Sequence, residues 1–129
     1  MIVVDANVLV YALVGGPASA AVDRLHAREP IWIAPPLWRS EVCNALLQHV
    51  RHAGLPRAAA LTAMADAEQL VHETIPVDPR QVLRLAAGSR CSAYDCEYVT
   101  LALEAGVPLV TADRKLAEAF PDVCVLLPG

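Results

Sequence analysis

No C-x-x-C pair, no glycine-rich phosphate loop, no internal repeat and no apolar run of membrane-spanning length occurs in this chain of 129 residues. Each absence removes a class of protein. The four cysteines, Cys43, Cys91, Cys96 and Cys124, lack the paired spacing that zinc ligation uses, and Cys43 and Cys124 read as small core hydrophobes. Gly15-Gly16 is not a P-loop and no G-x-G-x-x-G is present, which sets aside the nucleotide-binding loops. His26 and His72 stand alone, while His49 and His52, beside Arg51 on a predicted helix, suit a solvated or nucleic-acid-facing surface better than a metal site. Asp5 and Asn7 interrupt the first apolar stretch, so no membrane span is expected there. The same stretch mimics the apolar part of a secretory signal, with small residues at 18–20, but no basic residue precedes Asp5. A cytoplasmic location is therefore expected. Lysine is nearly missing, Lys115 being the only one among ten cations. Those ten face fourteen acids, and a net charge of −4 argues against a surface that clings to nucleic acid over its whole area. A local basic rim is still compatible with that balance.

What is abundant is hydrocarbon. Apolar residues make up 56% of the chain and the mean hydropathy is +0.42, more than a small interior can hide. Some of that surface is expected in an interface, with a homodimer as the simplest form. The length suits one domain, residues 1–129, with a core that needs no disulfide or structural metal.

Short β-branched or apolar runs alternate with helical stretches. Strands are expected at 2–4, 31–34, 74–77, 108–110 and 123–127, bounded by prolines and glycines. Helices are expected at 18–29, at 37–54 after Pro35-Pro36, from Pro56 to about 72, and at 78–88, 92–106 and 113–120. That order implies an α/β fold with a mostly parallel sheet covered on both faces.

Four acids occupy related places on these elements. Asp5 closes the first strand, either as a helix N-cap or as a functional group at the carboxyl edge of the sheet, where open α/β folds bind ligands. Asp113 repeats that grammar after Pro108-Leu109-Val110 and Thr111-Ala112, with the same two readings. Ser92-x-x-Asp95 looks like a capping box. Yet at about 100° per residue Asp95 shares a face with Tyr98, Val99 and Ala102, whereas Glu97 and Glu104 lie opposite as solvated acids. Glu41, Asn44 and Gln48 draw one polar stripe along a mainly apolar helix, which taken alone reads first as a solvent-facing stripe. The set as a whole favours convergence at one edge of the sheet.

The segments "VVDANVLVYAL", "RSEVCNALL", "SAYDCEYVTLALEAG" and "PLVTADRKL" resemble, in order and over nearly the whole chain, the signature segments of PIN-domain ribonucleases. They are most similar to the toxin component of VapBC-type toxin–antitoxin pairs. The resemblance implies a PIN-like three-layer sandwich with a five-stranded, mostly parallel central sheet. It implies Asp5, Glu41, Asp95 and Asp113 as a catalytic and metal-binding quartet, with Asn7, Thr111 and Asn44 in support. Cys96 and Glu97 depart from the small residues common after the aspartate of the third motif.

Carboxylates held together repel and raise one another's pKa, so such a site is best ionised around a divalent cation. Oxygen ligands suit Mg²⁺ or Mn²⁺ rather than zinc. Such an ion polarises a phosphodiester and activates water, which removes the need for a histidine base. Hydrolysis of RNA in this manner leaves a 5′-phosphate and a 3′-hydroxyl. Arg39, Arg90, Arg114 and Lys115 flank the motifs as candidates to guide the RNA backbone. A small antitoxin is the expected partner. Rival readings meet specific obstacles: Asn7 stands where a phosphatase of the haloacid dehalogenase type has its second aspartate. A catalytically silent PIN-like binding or scaffold module is the remaining alternative, and the presence of all four acids argues against it.

Overall fold

A computed structural model describes residues 1–128. Strand β1 (Ile2–Val4) leads into helix α1 (Ala6–Val14), followed by α2 (Ser19–Arg28), β2 (Trp32–Ala34), α3 (Trp38–His52) and α4 (Arg57–Leu70). Strand β3 (Val71–Thr74) precedes α5 (Pro79–Ala87) and α6 (Ala93–Ala105), and the chain finishes with β4 (Leu109–Thr111), α7 (Arg114–Ala119) and β5 (Cys124–Leu126). The five strands form one sheet in the order β3-β2-β1-β4-β5, and every neighbouring pair runs parallel.

Parallel strands need crossovers, and the crossover helices cover both faces, so the central strands are apolar throughout. Every residue of β1, β2 and β4 is buried accordingly. Helix α1 packs on α3 and α4, while α6 lies against β1, β4 and α5. The order of the sheet has one functional consequence. From β1 the chain crosses to β2 on one side, and β4 pairs on the other, which makes the carboxyl ends of β1 and β4 the point where strand order reverses. Crevices open at such points.

Two elements and two cysteines differ from the sequence-based expectation. The residues after Asp5 form a separate helix, α1, which the apolar run disguised: Val8, Leu9 and Val10 are buried on it, and Gly15 ends it at φ +75°. The third strand lies at 71–74 and not at 74–77. It is an edge strand whose His72 and Glu73 are exposed, so an apolar criterion passes it over, while Pro76 lacks the N–H needed to extend a ladder. Cys43 is exposed and not a core residue, and Cys124 is only partly covered. Elsewhere the punctuation holds. Pro79 occupies the first turn of α5 behind the Asp78 cap, and Gly106 ends α6 in the left-handed conformation that glycine adopts without strain.

Candidate active site

Asp5 follows β1 immediately and is 7% exposed. One of its oxygens accepts a bond from the Ala6 N–H at 2.7 Å, so it does cap α1. The other accepts from the Thr111 hydroxyl at 2.7 Å and, more weakly, from the Asn7 amide at 3.4 Å. This carboxyl is pushed up to about 6, chiefly by burial and to a lesser degree by the charges of Glu41 and Asp95, against the bonds from Thr111 and Ala6 that hold it down. Asn7 returns its amide oxygen to the Ala112 N–H at 3.1 Å, and the Thr111 hydroxyl accepts from the Asp113 N–H at 3.0 Å. Asn7 and Thr111 thus stitch the ends of β1 and β4 together around Asp5.

Glu41 stands in the first turn of α3. It is half-buried, and burial raises its carboxyl; the hydroxyl of Tyr98 opposes this by donating to Oε1 at 2.6 Å, and the Asp95 charge adds to the rise. Tyr98 is itself buried, and burial together with Glu41 pushes its phenol far up, so it stays a donor. Asp95 occupies the first turn of α6, behind the Ser92 cap. The Ser92 hydroxyl accepts from the Asp95 N–H at 3.1 Å, which is one half of a capping box. The reciprocal bond, from the Ser92 N–H to the Asp95 carboxylate, is not made among the described residues. Capping therefore leaves the Asp95 carboxylate uncommitted, and its charge acts on both Asp5 and Glu41.

Asp113 sits differently. Its Oδ1 accepts from the N–H groups of Lys115 at 2.9 Å and Leu116 at 3.3 Å, capping α7. Its charge registers on the thiols of Cys91 and Cys124 rather than on Asp5 or Glu41. The structure thus draws Asp5, Glu41 and Asp95 into one another's field and attaches Asp113 to them through Thr111. Sequence reasoning missed one acid. Glu97 is partly buried, and burial and then the Glu41 charge raise its carboxyl, so it is not a solvated acid. The helical wheel misplaced it because Glu97 lies in the middle of α6, where Cys96 and Tyr98 through Ala102 are buried, while the exposed residues cluster toward the two ends. Asn44 is exposed on α3 and lies outside this network.

Among the described residues no ion pair involves any of these acids; the pairs present are Met1 with Glu29 and Arg39 with Glu68. The group is a set of mutually repelling oxygens without a counter-cation, and that donor chemistry fits a hard divalent ion. The side chains do not enclose a finished cage, however. No three His, Cys, Asp or Glu residues among those described are grouped tightly enough to hold an ion as they stand, so holding one requires the carboxylates to draw together.

The candidate RNA-guiding cations divide. Arg39 makes a two-pronged bond to Glu68, at 2.7 and 3.2 Å, and lies over the Trp38 ring; it is already engaged. Arg90 and Lys115 line one groove with Cys91, whose thiol lies in the field of Asp95 and Asp113. Arg114 lines another, with Tyr11 and Ala112.

A family model described as the PIN domain matches residues 2–120. The chain belongs to the PIN-domain family. It is a VapC-like PIN domain, 36% identical to Ribonuclease VapC1 of Mycobacterium tuberculosis over 91% of this chain and 89% of that protein. It is also 32% identical to Ribonuclease VapC12 of the same organism, over 92% of each. The solved structure of PAE2754 from Pyrobaculum aerophilum is similar with a TM-score of 0.73 and 28% identity, over 92% of this chain and 84% of that one. FitAcB from Neisseria gonorrhoeae, with a TM-score of 0.70, 19% identity and coverage of 98% and 96%, shares the fold.

Proposed function

We propose that this PIN domain is a metal-dependent endoribonuclease and the toxin of a type II toxin–antitoxin pair. The observation that carries the reading is the group formed by Asp5, Glu41 and Asp95, with no ion pair to any of them among the described residues, in a chain 36% identical to a protein named Ribonuclease VapC1. In this reading Asp5, Glu41, Asp95 and Asp113 hold Mg²⁺ or Mn²⁺, which supplies a polarised phosphodiester and an activated water. Asn7 and Thr111 fix the orientation of Asp5 through the bonds described above. The Tyr98 hydroxyl fixes Glu41. Asp95, free of reciprocal capping, is the acid best able to move toward an ion, and Arg90 and Lys115 steer the RNA backbone along their shared groove. Thr111 belongs to the positioning group, and no histidine is needed as a base.

RNA cleavage that disappears in EDTA, returns with Mg²⁺ or Mn²⁺ and leaves 5′-phosphate ends is the expected result. Cleavage that survives chelation would remove the metal from the mechanism. A silent binding module is the second reading. It is favoured by the capping bonds that Asp5 and Asp113 already make and by the unfinished cage, and it predicts RNA binding without cleavage under any ion. The partners belonging to the main reading are an RNA substrate, a small cognate antitoxin and a second copy of the chain, acting as a single domain in the cytoplasm.

A further inference from the structure

The Tyr98–Glu41 bond joins two helices that both carry acids of the site, across 57 residues of sequence. Tyr98 is 1% exposed, so its ring is fixed by packing and its hydroxyl has one place to go. The O–H···O distance of 2.6 Å lies in the range of charge-assisted bonds to a carboxylate. Only Oε1 of Glu41 receives it; Oε2 accepts no bond among the described residues.

We propose that Tyr98 is a specificity-determining residue that occupies one Glu41 oxygen and so presents Glu41 to a cation as a one-oxygen ligand, favouring Mg²⁺ or Mn²⁺ over Ca²⁺. The reasoning is chemical. Ca²⁺ takes more oxygen ligands and readily uses both oxygens of one carboxylate, whereas Mg²⁺ demands a small octahedral shell. A carboxylate with one oxygen already committed to a donor discriminates against the larger ion. Such hydrogen-bonding partners of ligands alter metal affinity by about 10- to 100-fold when removed. The inference rests on the metal-binding reading of the site given above.

Calorimetric titration of the wild-type protein and of Tyr98→Phe with MgCl₂, MnCl₂ and CaCl₂, without RNA, tests it independently of cleavage. The phenylalanine variant removes one oxygen atom and keeps the ring. The expected result is a fall of about tenfold in the preference for Mg²⁺ over Ca²⁺, by the magnitude such partners usually carry. Tyr98→Met, smaller and equally without a donor, is expected to give the same direction of shift in a different packing context, which separates loss of the donor from repacking of the ring, and circular dichroism on each variant establishes that it is folded. A wild-type protein that binds Mg²⁺ with a preference left unmoved in both variants overturns the role of Tyr98 alone. A wild-type protein that binds none of the three ions overturns this inference and the metal reading together.

Discussion

Asp5 carries opposite demands in one side chain, since it caps a helix from a buried position where its charge is disfavoured. Its carboxyl is raised from 3.8 to about 6, which corresponds to roughly 3 kcal/mol of preference for the neutral form. The sign is unusual for an acid. Because the folded value lies above the unfolded one, the folded state binds more protons between about pH 4 and pH 6, and stability from this group is present below that window and lost as pH rises through it. In metal-free protein, Asp5→Asn is therefore expected to gain on the wild type as pH rises from about 4 to 7, by up to roughly 3 kcal/mol. Denaturant unfolding in EDTA measures this, and a difference independent of pH would show that burial does not act on Asp5 in this way. Asp113 invites a cleaner separation. Asn caps a helix as well as Asp does, whereas Ala costs about 1 kcal/mol. Asp113→Asn is expected to keep the melting temperature and abolish cleavage, and Asp113→Ala to lose both. Retained cleavage in the asparagine variant would make Asp113 a cap only.

Helix α6 is the element on which sequence and structure part most informatively. Its Ser92 cap satisfies the Asp95 N–H, and Ser92→Ala is expected to cost about 1 kcal/mol while lowering cleavage through a loosened first turn. The loss of activity should be larger than the loss of stability at assay temperature explains, and a variant with full activity would detach Asp95 from its cap. The middle of the same element, from Cys96 to Ala102, is covered on nearly every side, so an acid there cannot be placed outside by periodicity; Glu97 is the casualty of that rule, whereas Glu104 near the exposed end is solvated as expected. Basic residues sort themselves by element too. Arg39 is committed to Glu68 on the neighbouring helix, whereas Arg90 and Lys115 share a groove with Cys91, whose thiol lies in the field of Asp95 and Asp113. Replacing Arg90 and Lys115 with Ala should weaken RNA binding and reduce its salt dependence, by about 0.7 in the logarithmic slope for each phosphate no longer neutralised. Arg39→Ala should leave that slope unchanged. Fluorescence titration across salt concentrations distinguishes the two, and equal slopes in all three proteins would dissolve the groove assignment.

Across the whole molecule, the apolar surplus reappears as exposed side chains on the helices: Leu61 on α4 is 69% exposed, Leu83 on α5 67% and Tyr94 on α6 63%. Surface of this kind is what an interface would cover, and light scattering at low concentration is expected to return the mass of a dimer. A stable monomer that also binds no small partner protein would remove both the homodimer and the antitoxin from the proposal, and would leave the nuclease reading intact. The sheet order acts over the same distances. Placing β1 between β2 and β4 is what brings residues 5 and 111, far apart in the chain, to one crevice.

Hydrophobic period, caps and breakers are local signals, and they were enough to establish the alternation of strands and helices, the parallel sheet and the positions of four acids at element ends. They carried less where they conflict. The run after Asp5 hid α1, and the polar edge strand at Val71–Thr74 bore no apolar mark. Which acids feel one another is a tertiary matter. It depends on burial and on neighbours brought in from other elements: Thr111 on Asp5, Tyr98 on Glu41, Asp95 on both. The same dependence explains why Glu97 entered the group and Arg39 left the set of free cations. A carboxylate's chemistry is set by what lies within a few ångströms of it, and in a parallel sheet those neighbours come from strands and helices that are distant in sequence.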